Sequence, residues 1–379
     1  MADVTRTVEV LIKGVDQISD TMAGVSTGLD SFGGKVTSVT GPLADFSVKL
    51  IQIEAALGAL AIGGLALAVT AAGNFGDSFN EISTLIDETG ASVDNFKQDI
   101  IDYSRDSTQS IETINSAIYD AISSGENYTT SLNLIRAAEN LGIATKADLN
   151  EAINVLKPTM NAFGAETKDA ADFSDILFTT VKTGKTTLSE LAPVLANVTG
   201  IAAAGGIPFD DLSAAIAGLT AYGVPVSQAI TQIKGSLVAI LAPTDQAKEK
   251  AAELGFALGQ QAVETKGLAG VYADLYAATG GNLELMKILI PRIEGANAAI
   301  LLGSDAGGKY ADAMSAMETR TGAVGIAAGK MAENFELANQ RVLNNFQATL
   351  IQLGGPIEAD YSRFAGALGS IFEAVGFAF

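Results

Sequence analysis

A few stretches of this sequence bring together residue types that could do chemistry. "TTVKTGKTT" (179–187) runs through Gly184, Lys185 and Thr186, the order in which a phosphate-binding loop presents its lysine and its magnesium-binding hydroxyl. Such a loop also opens on a glycine, so that backbone N–H groups can curl around phosphate. Residue 179 is Thr and no apolar strand leads into the stretch, so it reads as a Gly-containing turn ahead of a capped helix. Asp210 and Asp211 are adjacent carboxylates, but neighbours on a helix point about 100° apart and do not converge on one substrate atom. Their expected use is as a helix N-cap. Glu333 and Glu336 share a helix face, yet the Glu-x-x-His pairs of helical di-metal sites need histidine. Ser47 and Lys49 form neither a Ser-x-x-Lys motif nor a nucleophile elbow.

Composition narrows the chemistry further. With 0 His and 0 Cys, the chain has no Ser-His-Asp triad, no Cys-His nucleophile, no His-ligated zinc and no disulfide. What remains is carboxylate chemistry, and a glycosidase reading would demand a cleft holding a perturbed acid. The expectation is a protein that is no enzyme and carries no cofactor and no metal. Against 23 Lys and Arg stand 43 Asp and Glu, a formal charge of -20. Such a chain lacks the positive footprint that counterion release on DNA or RNA requires, so no sequence-specific nucleic-acid binding is expected.

The elements that would position these residues are helical. From about residue 80, apolar residues recur at helical spacing: Ile111, Ile114, Ile118 and Ile122, then Leu149, Ile153, Leu156, Met160 and Phe163. Thr145 is placed to cap "KADLNEAINVL", and Thr187 with Glu190 to form a capping box. Gly142, Gly164 and Gly223 stand where helices should stop. Residues 207–245 read as a helical hairpin. Leu212, Ile216 and Leu219 line its first helix; Ile230, Ile233, Leu237 and Ile240 line its second, capped by Ser227 and closed by Pro243. Short helices broken at Pro291 and at 303–308 follow. A longer element over 325–353 has Phe335, Val342, Phe346, Thr349 and Leu353 near a seven-residue seam, a pattern of self-association.

The N-terminal third differs. Val8, Val10 and Ile12 alternate as in a short strand or extended arm, and a Gly- and Ser-rich amphipathic stretch follows. "AALGALAIGGLALAVTAAG" (55–73) then holds no charge and as a helix would span about 28 Å, close to a bilayer's hydrocarbon core of about 30 Å. Eight Ala and four Gly make its insertion marginal. Leu57, Gly58, Leu60, Ala61, Ile62, Gly63, Gly64, Leu65, Leu67 and Val69 therefore read as a candidate membrane or oligomer-packing segment in which small residues admit a second backbone. The expected fold is all-α: a multi-helix bundle of short amphipathic helices, preceded by an apolar helix and a short N-terminal strand or extended arm. Its expected organisation is an arm over 1–50, the apolar helix over 51–76, a helical core region over 77–320 and longer C-terminal helices over 321–379. The apolar ending "ALGSIFEAVGFAF" has no polar stop, so the natural protein is expected to continue beyond Phe379.

"ADFSDILFTTVKTGKTTLSELAPVLANVTGIAAAGGIPFDDLSAAIAGLTAYGVPVSQAITQIKGSLVAILAP" (171–243) resembles the core region of tail tape measure proteins of long-tailed bacteriophages. The resemblance lies in the order and spacing of Ala171-Asp172, Leu188-Ser189-Glu190-Leu191, "AAAGG", Phe209-Asp210-Asp211-Leu212, "AGLTAYG" and "LAP". It extends upstream through "GASVDNFKQDIIDYSRD" and downstream to "QATLIQLGGPI". It implies a virion protein inside the tail tube that sets tail length and leaves at infection to help DNA cross the host envelope. The partners it implies are tail tube protein, tail tip or baseplate proteins, tail assembly chaperones, further copies of the chain and, after release, the host membrane. A membrane-active pore-forming helical toxin shares the acidic bundle and the hidden apolar helix, and is the alternative. Gly and Pro punctuate residues 125–310 too often for a rod. A measuring section is expected beyond Phe379.

Overall fold

The computed structural model describes residues 60–87, 90–304, 308–334, 337–352 and 354–355, and among them every regular element is a helix. The strand or arm expected at the N-terminus lies outside the described residues. The chain divides into two compact units, one comprising residues up to Ser116 together with those from Gln340 onward, the other Ala117–Asn339.

In the first unit, α1 (Leu60–Ser83), α2 (Ala91–Asp106) and the start of α3 (Ile111–Ser123) meet the helical stretch 337–352, α16. Ala68, Ala72, Phe75, Phe79 and Ile82 recur every three or four residues along α1 and are all buried. The Phe75 and Phe79 rings lie 6.2 Å apart and Phe96 of α2 joins them at 6.4 Å from Phe79. Lys97 stands 5.7 and 5.6 Å from the first two ring centres, a placement that favours its cation. Asn344, buried on α16, donates to the Ser107 and Gln109 carbonyls at 2.8 and 2.7 Å, satisfying the backbone between α2 and α3.

The second unit contains α4 (Tyr128–Thr145), α5 (Leu149–Ala162), a 3-10 turn (Thr167–Asp169), α6 (Ala170–Gly184), α7 (Leu188–Ala204), α8 (Phe209–Ala221) and α9 (Val226–Leu241). It continues with α10 (Asp245–Glu253), α11 (Gln260–Thr279), α12 (Leu283–Leu289), α13 (Ile293–Ser304), α14 (Lys309–Glu318) and α15 (Ala323–Met331). Its centre is α8, where Leu212, Ala214, Ala215, Ile216, Ala217 and Leu219 are fully buried among α6, α9, α13 and α14. Alanine suits this position: its helix propensity is the highest and its small side chain lets neighbours pack close. The expected hairpin of α8 and α9 forms, with Ile230, Ile233, Leu237 and Ile240 all buried. At the α9–α13 crossing Gly235 meets Gly295; a Cβ on Gly295 would lie 2.6 Å from the Gly235 carbonyl carbon.

Several local expectations need correcting. Thr145 ends α4 instead of capping α5, its hydroxyl donating to the Leu141 carbonyl at 2.7 Å while Lys146 turns the chain at φ 58°. Asp148 takes the N-cap position of α5. Gly142 lies inside α4, whereas Gly164 and Gly223 do end helices at φ 65° and 90°. Pro208 and Pro225, not Asp210, Asp211 or Ser227, precede α8 and α9; proline's fixed φ preorganises a helix start without any side-chain bond. Pro158 and Pro193 sit inside α5 and α7 without ending them. The element expected over 325–353 is divided, α15 and α16 being separated by a turn at 332–334.

Candidate functional site

The P-loop-like stretch is resolved first. Gly184 ends α6, Lys185 turns the chain at φ 54°, and Thr187 begins α7. Thr187 Oγ1 accepts from Glu190 N–H at 3.2 Å while the Glu190 carboxylate accepts from Thr187 N–H at 3.1 Å, the expected capping box. The Thr186 hydroxyl first, and then Thr187, hold the exposed Glu190 carboxyl below its ordinary value. The backbone donors there serve α7.

The charged residues of the second unit gather elsewhere, where α6, α8 and the corner between α14 and α15 meet. Arg320 Nε and Nη2 donate to Asp172 at 3.0 and 3.2 Å, and its Nη1 to Asp210 at 3.2 Å and to the Met317 carbonyl at 2.7 Å. One turn along α6, buried Asp175 accepts from the backbone N–H groups of Gly322 and Val324 at 2.7 and 2.8 Å. It thus caps the start of α15 from another helix, where a negative charge also favours the helix dipole. Asp211 diverges from Asp210, as neighbours on a helix must, and accepts from the backbone of Leu268 beside the kink at Gly267 in α11. Burial, and then the charge of Asp210, push the Asp211 carboxyl above its ordinary value, against the pull of the Leu268 bond.

A second cluster surrounds Glu126, which is 7% exposed. It receives bonds from Lys157 of α5, Thr167 of the 3-10 turn and Thr130 of α4. Burial alone would raise its carboxyl; the three donors and the lysine charge outweigh burial and leave it below the ordinary value. Fully buried Tyr272 of α11 shares a 2.5 Å hydrogen bond with Ser236 of α9, and its phenol is pushed upward by burial.

Chemically, these two clusters tie elements together: Asp172, Asp175, Asp210, Asp211 and Glu126 are each directed at a guanidinium, an ammonium, a hydroxyl or a backbone N–H of another element. An open groove of about 550 Å³, lined by Phe163, Gly200, Ala203, Ala204, Ile207 and Pro208 among others, has no ionisable residue in its wall. No group of His, Cys, Asp or Glu that could hold a metal occurs among the described residues. Arg320, Asp175 and Glu126 were not singled out by spacing: apart from Thr130, four residues from Glu126, and the Met317 carbonyl, three from Arg320, their partners lie 31 to 149 positions away in sequence.

Of the candidate apolar segment, Leu57 and Gly58 lie outside the described residues. Leu60, Ala61, Ile62, Gly63, Gly64, Leu65, Leu67 and Val69 lie on α1, which runs past the uncharged stretch to Ser83. Its neighbouring residues Ala68 and Ala72 face the interior of the first unit, with Gly354 close against them. Among the described residues no single helix is long and apolar enough to cross a membrane; α6 and α7 qualify only as a pair bent by 114°.

Fold and clusters define a helical bundle protein whose buried charges join its helices. The chain belongs to the family of phage-related minor tail proteins, whose model matches residues 97–288, half of its length. That match contains Asp172, Asp175, Asp210 and Asp211 but ends before Arg320. The chain is 24% identical over 285 residues to a probable tape measure protein of Clostridium phage phiCD119, covering 72% of this chain and 30% of that protein. It is 23% identical over 363 residues to the tape measure protein of Pneumococcus phage Dp-1, covering 94% of this chain and 29% of that protein. The chain thus spans about 30% of the length of these relatives. No solved structure matches it.

Proposed function

We propose that this chain acts in a tail tape measure protein that lies in the lumen of the tail tube, sets tail length during assembly and leaves at infection to assist DNA passage through the host envelope. The observation that carries the reading is the similarity to two tape measure proteins across 72% and 94% of the chain. The composition agrees with it. A charge of -20 keeps the chain from gripping the DNA that must pass through the same tube.

In this reading the chain contributes no catalysis, and the second unit is a compact module and not the ruler. Even all 379 residues as one unbroken helix would reach only about 570 Å. Tail tube protein, tail tip or baseplate proteins and assembly chaperones are its partners, together with further copies of the chain. The 55–73 segment would be shielded in the virion and meet the host membrane only after release.

Quantitative mass spectrometry of purified tailed particles tests this, comparing intact virions with ghosts that have released their DNA. The chain should be present in a few copies per intact particle and depleted from ghosts. Equal abundance in both would make it a fixed tail component, and absence from both would remove it from the tail altogether; either result defeats the proposal.

A further inference from the structure

We propose that α15 is a strap that opens and closes over α4 and α6 while α8, α9 and α13 stay packed, with Arg320 and Asp175 as its latch. Four observations carry this. First, α15 has little apolar anchorage: of its nine residues Val324 and Ala328 are buried, while Ile326 is 64% exposed. By contrast, the run from Leu212 to Thr220 in α8 is buried without a break. Second, α15 is too short to persist as a helix once detached, and Gly325 and Gly329 weaken it further, so leaving its seat and unfolding are one event.

Third, the attachment is polar and concentrated at one end. Asp175 holds Gly322 and Val324, and the Arg320 fork spans from α6 to α8 through Asp172 and Asp210. Charge-assisted, directional bonds of this kind depend on the position of the corner, so a shift there weakens them together and releases the strap. Fourth, both ends of the strap are chain turns: Gly322 at φ 78° before it and residues 332–334 after it. It can leave its seat and unfold without disturbing a neighbouring helix. Segments with few buried apolar contacts open at a lower free energy than the global fold. Opening uncovers the faces of α4 and α6 on which the strap rests.

Hydrogen exchange of the full chain followed by mass spectrometry is the test. In the unaltered protein, amides of 320–331 should exchange at least about tenfold faster than those of α8 and α9. Arg320→Gln should accelerate 320–331 by about another tenfold and leave α8 and α9 unchanged, because it removes charge-assisted bonds at the latch alone. Arg320→Lys, a point charge without the fork, should fall between the two. Protection of 320–331 equal to that of α8 in the unaltered protein would overturn the strap. So would no effect of Arg320→Gln, or equal acceleration of α8 and α9, which would make Arg320 a support of the whole unit.

Discussion

Glu126 shows how one buried charge can be either a liability or a joint. Its carboxylate stands 7% exposed between α4, α5 and the 3-10 turn, and only the donors from Lys157, Thr167 and Thr130 make the ionised form favourable there. A carboxyl whose pKa is lowered on folding adds stability above its unfolded value, here 4.5, and loses it as the pH falls through the folded value. Glu126→Gln should therefore cost about 1 to 3 kcal/mol at pH 7 by leaving Lys157 and the hydroxyls poorly matched. That cost should shrink in acid below pH 4.5, where the unaltered protein loses the same contribution. Urea unfolding midpoints at neutral and acidic pH would check it; a cost independent of pH would mean that the charge does not matter.

Among the elements, the α9–α13 crossing requires a small residue on both helices. Gly235 and Gly295 let the two backbones touch, and a methyl group on Gly295 would meet the Gly235 carbonyl carbon and Ser236 N, each at 2.6 Å. These are backbone atoms, so relief requires the helices to separate. Gly295→Ala is expected to destabilise the second unit by about 1 to 3 kcal/mol through overpacking, even though alanine is the better helix former. Thermal or urea unfolding reads this directly, and a neutral or stabilising result would show that the crossing relaxes freely. The buried bond between Tyr272 and Ser236 ties α11 to α9, the helix that α13 crosses at its glycines.

At the scale of the whole molecule, charge is the dominant property. A surface carrying a net -20 repels polyanions at a range set by screening, about 8 Å at physiological salt. The chain should therefore show no retention of duplex DNA in a gel-shift assay at about 0.15 M salt. Retention that weakened as salt rose would reveal a basic face that the net charge conceals. This behaviour suits a protein that shares a narrow conduit with DNA without holding it, as the tape measure reading requires.

Much of the molecule was legible in the order of its residues. Apolar spacing at three and four positions marked α3, α5, α8 and α9, the Thr187–Glu190 box marked the start of α7, and Gly164 and Gly223 marked helix ends, because each signal is completed within a few turns of chain. Local signals misled where a second local answer existed: Thr145 could cap forward or bond back, and two prolines could start helices more firmly than the aspartates and serine beside them. The family was legible too, in the order and spacing of short motifs over 171–243, a stretch that lies within the family match. The clamp of Arg320 on Asp172 and Asp210, the capping of α15 by Asp175, and the burial of Glu126 had no sequence signal. Each joins residues far apart in the chain, and the burial that makes a charge worth pairing exists only once the helices have packed.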